Sequence, residues 1–68
     1  MLDIAKLSNE ITQKGLTVNM LADSIGVNKS TLYRKLNKGG DKFLLWEIES
    51  IIKILGLSKE KAVEIFLT

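Results

Sequence analysis

Apolar residues recur along this chain at the spacing of helices that bury one face. No stretch alternates apolar and polar residues in the way that half-buried strands do. The pattern therefore predicts an all-α fold, a compact five-helix domain. The helices are expected over about residues 2–14, 18–25, 29–36, 45–55 and 59–67.

The same spacing predicts which residues face the core and where each helix ends. Residues with side-chain oxygens suited to N-caps precede three of the helices: Thr17, Asn28 and Ser58. Glycines, which tolerate the left-handed conformation, follow three helices: Gly15, Gly26 and Gly56. The residues expected to point inward are Ile4, Leu7, Ile11, Leu21, Ala22, Ile25, Leu32, Leu36, Ile48, Ile51, Ile52, Leu55, Ala62, Val63 and Phe66.

Length and composition indicate one small domain over residues 1–68, with 46% hydrophobic residues. A core of this size supplies only about 3–5 kcal/mol, so we expect a partner or a dimer contact to help. No apolar run approaches the roughly 20 residues of a membrane span, and the start of the chain does not resemble a secretory signal. We therefore expect a cytoplasmic protein that does not associate with membranes.

Positive charge is concentrated in one part of the chain. The net charge is only +2, but residues 29–42 carry five cationic side chains against the single acid Asp41. The segments before and after them are each slightly acidic. Such a patch attracts polyanions better than the same charge spread evenly.

An enzymatic function is not expected. The chain has no histidine and no cysteine, which removes the commonest general base, nucleophile and transition-metal ligands. The acidic residues are scattered at helical positions typical of surfaces, without the pairing that metal binding or acid–base chemistry needs. Gly39-Gly40 lacks the strand and the Gly-Lys-Ser/Thr sequence of a phosphate-binding loop. We expect no metal, no cofactor and no small-molecule ligand.

Residues 17–37 are the most informative segment, because they predict two short helices joined by a tight turn at Gly26. Ala22 and Gly26 are small, as the contact between two steeply crossing helices requires. The second helix carries hydrogen-bonding and cationic side chains that suit the major groove of DNA.

The order of residues in this segment resembles a known family. Residues 21–32 are Leu-Ala-Asp-Ser-Ile-Gly-Val-Asn-Lys-Ser-Thr-Leu, and this run resembles the helix-turn-helix of lambda repressor and Cro-like (Xre-type) DNA-binding domains. The resemblance continues through Leu-Tyr-Arg-Lys-Leu-Asn at 32–37, Phe43, Glu47-Ile48 and Leu-Gly-Leu-Ser at 55–58, as in small phage and prophage members. It implies a five-helix domain whose third helix enters the major groove, usually as a dimer on a two-fold operator.

The chain departs from the family pattern at two places. Members commonly begin helix 2 with a glutamine that touches a phosphate, and this chain has Val18 there. We therefore expect Thr17 or Asn19 to supply any phosphate contact at that position. Members also often cap helix 4 with threonine or serine, whereas this chain has Leu44 before Leu45 and Trp46.

We assign DNA contacts on the basis of this resemblance and of side-chain chemistry. Contacts to base edges are expected from Lys29, Ser30, Tyr33 and Arg34, with Arg34 the best candidate for a bidentate guanine contact. Contacts to phosphates are expected from Thr17, Asn19, Asn28, Thr31, Lys35, Asn37, Lys38 and Lys42. Lys35 suits either role.

Two apolar segments form a possible dimer surface. They are Leu44, Leu45 and Trp46 at the start of helix 4 and Ile65, Phe66 and Leu67 at the end of the chain. Apolar residues left over after the core is filled are commonly covered by a partner. Partial burial of Trp46 under the preceding loop is the alternative for that residue.

The sequence therefore predicts a sequence-specific regulator of transcription that binds double-stranded DNA, a Cro-like repressor that occupies an operator. We expect a homodimer at least on DNA, and no separate domain for an effector. The alternative is a protein-interaction module with the same fold, such as an antirepressor, an activator accessory or an antitoxin-like factor.

Overall fold

Five α-helices follow one another along the chain. The computed structural model describes residues 2–38 and 42–67, and within these ranges it contains no strand. The helices are α1 (Ile4–Gln13), α2 (Val18–Ile25), α3 (Lys29–Asn37), α4 (Leu45–Leu55) and α5 (Lys59–Phe66). The prediction of a compact all-α globule of five helices is confirmed, with a radius of gyration of 10.6 Å. No described helix combines the length and the apolar character that a bilayer crossing needs.

Side-chain caps set the N-termini of four helices. The oxygens of Thr17, Asn28 and Ser58 each accept a backbone N–H from the first turn of the following helix, as predicted. Asp3 does the same for α1 by accepting the N–H of Lys6 at 3.0 Å. The helix consequently begins at Ile4 rather than at residue 2.

Glycines end two of the helices that matter for the site. Gly26 follows α2 with a φ of +78°, and Gly56 follows α4 with a φ of +62°. At this left-handed conformation a Cβ is strained, so glycine is the favoured residue. The Gly26 turn lets the chain leave α2 and begin α3 three residues later.

The core lies where the five helices meet. α2 packs against α3 and α4, and α1 packs against α5. The largest side chains with almost no exposure are Leu7, Leu21, Leu32, Ile51, Leu55 and Ile65. All but Ile65 were expected to point inward.

The ends of the chain differ from the expectation in three ways. Ile4 and Val63 were predicted to face the core but are 37% and 48% exposed. Leu2 is buried instead near the start of α1, where it and Leu7 hold the two positions of a hydrophobic staple. Ile65 is fully buried on α5, and its carbonyl accepts the N–H of Asp3 at 2.7 Å.

We expect Gly26→Ala to lower the free energy of unfolding by about 1 kcal/mol, because alanine is strained at this left-handed φ. Beyond Gly26 and its two chain neighbours no atom lies within 4 Å of the added Cβ, so the cost comes from the local backbone and not from a clash with the rest of the fold. Gly26→Asn is the control and should lose less, since asparagine tolerates the left-handed region. Urea unfolding measures both, and equal losses for the two variants would contradict this explanation.

Candidate functional site

The outer face of α3 carries most of the residues predicted to contact DNA. Asn28 begins the helix, with its Oδ1 atom accepting the N–H of Ser30 at 2.8 Å. Leu32 is buried and Leu36 is half-buried, so these two side chains attach α3 to the core. The exposed side chains on and beside the helix are Asn28, Lys29, Ser30, Tyr33, Arg34, Asn37 and Lys38, and Thr31 is half-buried.

The connection between α2 and α3 is short and hydrogen-bonded. The N–H groups of Gly26 and Val27 donate to the carbonyls of Asp23 and Ala22, at 3.3 and 3.0 Å. Ala22 has no exposed surface, so the side of α2 that carries it is covered, while Asp23 and Ser24 are exposed. At the other end of α2, Thr17 and Asn19 are exposed, and the Oγ1 atom of Thr17 accepts the N–H of Met20.

Three of the predicted contact residues line one cleft. Arg34 and Lys38 at the end of α3 and Lys42 before α4 surround a space of about 360 Å³, which we call the cationic cleft. No acidic side chain among the described residues lines it. The cleft therefore presents only positive side chains from that part of the chain, and an anion is the ligand that fits this charge.

Lys35 does not belong to this exposed positive surface. Its ammonium lies 2.5 and 2.7 Å from the two carboxylate oxygens of Glu47 on α4, and both side chains are nearly buried. The prediction that Lys35 contacts a phosphate is therefore wrong for this geometry, because its charge is already paired inside the fold. Glu47 is likewise not the surface acid that the sequence indicated.

Glu47 also closes the first turn of α4. Its Oε1 atom accepts the backbone N–H of Leu44, the N-cap residue, at 2.8 Å, whereas the leucine side chain has no acceptor for the N–H groups of the first turn. The ammonium of Lys35 lies 5.9 Å from the centre of the Phe43 ring. One carboxylate thus connects α3 to the residues that begin α4.

The sequence contained a signal for half of this arrangement. A glutamate three residues after an N-cap can accept the N–H of the N-cap residue, and Glu47 makes this half of a capping box with Leu44, whose apolar side chain cannot make the other half. Nothing in the spacing identified Lys35 as its partner, because twelve residues separate the two in the chain. We missed the pair for that reason.

The residues predicted to form a dimer surface are only partly brought together. Leu45, Phe66 and Leu67 line an apolar groove of about 390 Å³ between α4 and α5, together with Ile48, Ile52, Leu57, Lys59, Ala62 and Val63. We call it the α4–α5 groove. Leu44 and Trp46 are 53% and 47% exposed but do not line it, so Trp46 is neither fully covered nor fully free. Ile65 is removed from the predicted surface because it is fully buried.

Comparisons with known proteins add no assignment, because no protein-family model matches this chain and no curated protein matches it either.

Within the described ranges, no group of three or more acidic side chains is placed to hold a metal ion. The candidate site therefore consists of the exposed face of α3 and the cationic cleft at its end.

We expect Lys35→Met and Glu47→Leu each to lower the free energy of unfolding by about 3–5 kcal/mol, because each leaves a buried charge without its partner. The double variant Lys35→Met/Glu47→Leu should recover most of this loss and retain a deficit of about 1 kcal/mol for the unmatched N–H of Leu44.

Thermal unfolding followed by circular dichroism measures this cycle. Lys61→Met is the matched control: its ammonium lies 3.7 Å or more from Glu10 and Glu64 at the surface, and it should change stability by no more than about 1 kcal/mol. Additive losses in the double variant would show that the two buried charges are not coupled.

Proposed function

We propose that this chain is a sequence-specific regulator of transcription that binds double-stranded DNA and acts as a Cro-like repressor at an operator. In this proposal α2 and α3 form a helix-turn-helix within a lambda repressor-like domain, and α3 is the helix that enters the major groove. The observation that carries the proposal is the uninterrupted polar and cationic outer face of α3, which continues into the cationic cleft.

The distribution of charge supports a polyanionic ligand. Lys29, Arg34, Lys38 and Lys42 are exposed, and none of them pairs with an acid among the described residues. Because Lys35 is paired with Glu47 inside the fold, these four cations are the ones that remain exposed along α3 and beside its end. Electrostatic attraction to a phosphate backbone is the ordinary consequence of such a patch.

Base recognition is assigned to the part of α3 where side chains of suitable length are exposed. Lys29, Ser30, Tyr33 and Arg34 combine donors, acceptors and one planar guanidinium, which are the groups that distinguish base edges in the major groove. Phosphate contacts are assigned to Thr17, Asn19, Asn28, Thr31, Asn37, Lys38 and Lys42, which fix position without specifying sequence.

A dimer completes the proposal. Two copies would place their α3 helices about 34 Å apart, one turn of the double helix, on a two-fold operator. The α4–α5 groove and the exposed Leu44–Trp46 segment supply apolar surface that a second copy would cover.

A protein-interaction module is the second candidate, and the apolar α4–α5 groove is the observation that favours it. The two functions differ in one measurement, a mobility shift with duplex DNA at two salt concentrations. An absence of binding at low salt favours the interaction module, whereas tight binding without sequence preference favours an architectural protein.

Selection of bound duplexes from a random pool tests the proposed function. We expect a preferred sequence, and we expect Arg34→Ala to weaken binding to it by about 1–3 kcal/mol while changing binding to scrambled DNA much less. Lys6→Gln on α1 is a matched control that removes a cation far from α3 in the chain. Equal weakening of binding to the selected and the scrambled DNA would contradict the assignment of Arg34 to a base contact. A pool without an enriched sequence would contradict sequence-specific recognition.

Sedimentation at micromolar concentration tests the dimer. We expect Leu45→Glu to shift the chain toward monomer, because Leu45 lines the groove and is 73% exposed. Glutamate is favourable in the first turn of a helix, so the fold should persist. Ile54→Lys is the control, since Ile54 is 42% exposed on the same helix but does not line the groove, and a cation is favourable in the last turn of a helix. A strict monomer with and without DNA would contradict the dimer.

A further inference from the structure

The residues that line the cationic cleft come from the end of α3 and from the segment before α4. Arg34 and Lys38 belong to the last turn and the C-cap of α3, so their positions follow the helix. Lys42 also lines the cleft, and it lies in the segment that leads into α4. The shape of the cleft therefore depends on how this segment is held against α3.

The residues that follow Lys42 are held by the Lys35–Glu47 pair. Phe43 packs against the core with the ammonium of Lys35 at 5.9 Å from its ring centre. The N–H of Leu44 donates to Oε1 of Glu47 at 2.8 Å, and both oxygens of the same carboxylate accept the ammonium of Lys35. Lys35 lies one turn before Lys38 on α3. One ion pair thus links the last turn of α3 to the residues that follow Lys42.

We propose that the Lys35–Glu47 pair positions Lys42 opposite Lys38, so that the two ammonium groups hold one phosphodiester of a DNA backbone between them. Lys35 and Glu47 are positioning residues in this arrangement and do not touch the ligand. The proposal rests on the proposed function for the identity of the anion. Lysine suits the role because its ammonium acts as a point charge toward phosphate oxygens.

The salt dependence of binding to one fixed duplex tests the positioning role. Each lost phosphate contact reduces the slope of log Kobs against log salt by about 0.9. We expect Lys42→Ala to cause this reduction in the otherwise natural chain. In the Lys35→Met/Glu47→Leu background, Lys42→Ala should cause no further reduction of the slope, because Lys42 is no longer held at the phosphate.

Two variants separate positioning from general stability. Lys29→Ala changes a cation in the first turn of α3, and its effect should be the same in both backgrounds. Lys35→Arg retains a bidentate partner for Glu47 and should preserve the effect of Lys42→Ala. An equal effect of Lys42→Ala with and without the ion pair would overturn the proposal. If the double variant does not fold, Lys35→Leu/Glu47→Met replaces it, since this pair also removes both charges and the acceptor for the N–H of Leu44.

A titration with inorganic pyrophosphate makes the test independent of DNA binding. We expect saturable shifts of the backbone amide signals of Lys38 and Lys42, and their loss in the Lys35→Met/Glu47→Leu variant. If the unaltered chain binds no duplex, the proposed function is contradicted. The titration still shows whether the cationic cleft binds an anion. Absent shifts, or shifts that are identical in the variant, would overturn the cleft as an anion site.

Discussion

The arrangement of the candidate site depends on one buried ion pair, between Lys35 on α3 and Glu47 on α4. A charge taken out of water is costly unless a partner and hydrogen bonds compensate for it. Here the ammonium contacts both carboxylate oxygens, and one of these oxygens also accepts the N–H of Leu44. The pair therefore connects the end of α3, the segment before α4 and the first turn of α4.

The described part of the molecule presents two surfaces of different chemistry, and neither is lined by Lys35 or Glu47. The face of α3 and the cationic cleft are polar and positive, whereas the α4–α5 groove is apolar. Lys35 contributes to neither surface, because its charge is matched inside the fold. A polyanion and an apolar partner would thus meet different parts of the chain, which is the arrangement that the proposed dimer on DNA requires.

Much of the fold was predictable because its determinants are local. Thr17, Asn28 and Ser58 cap helices through backbone N–H groups within their own first turns. Gly26 and Gly56 end helices because their own φ angles are positive. The exposure of Lys29, Ser30, Tyr33 and Arg34 followed from the same reasoning, since Leu32 and Leu36 attach the opposite side of α3 to the core.

By itself the sequence determined the number of helices, the limits of α2 and α4, and the concentration of cations on α3 and the segment after it, whereas α1, α3 and α5 end one or two residues from the predicted limits. Tertiary structure alone decided which of these cations remain at the surface, because Lys35 and Glu47 meet only when α3 and α4 pack together. It also decided that Ile65 is buried while Val63 is exposed, since the position of α5 against α1 selects the covered face. Helical spacing defines faces, but contacts between distant elements determine which face is buried and which charge is paired.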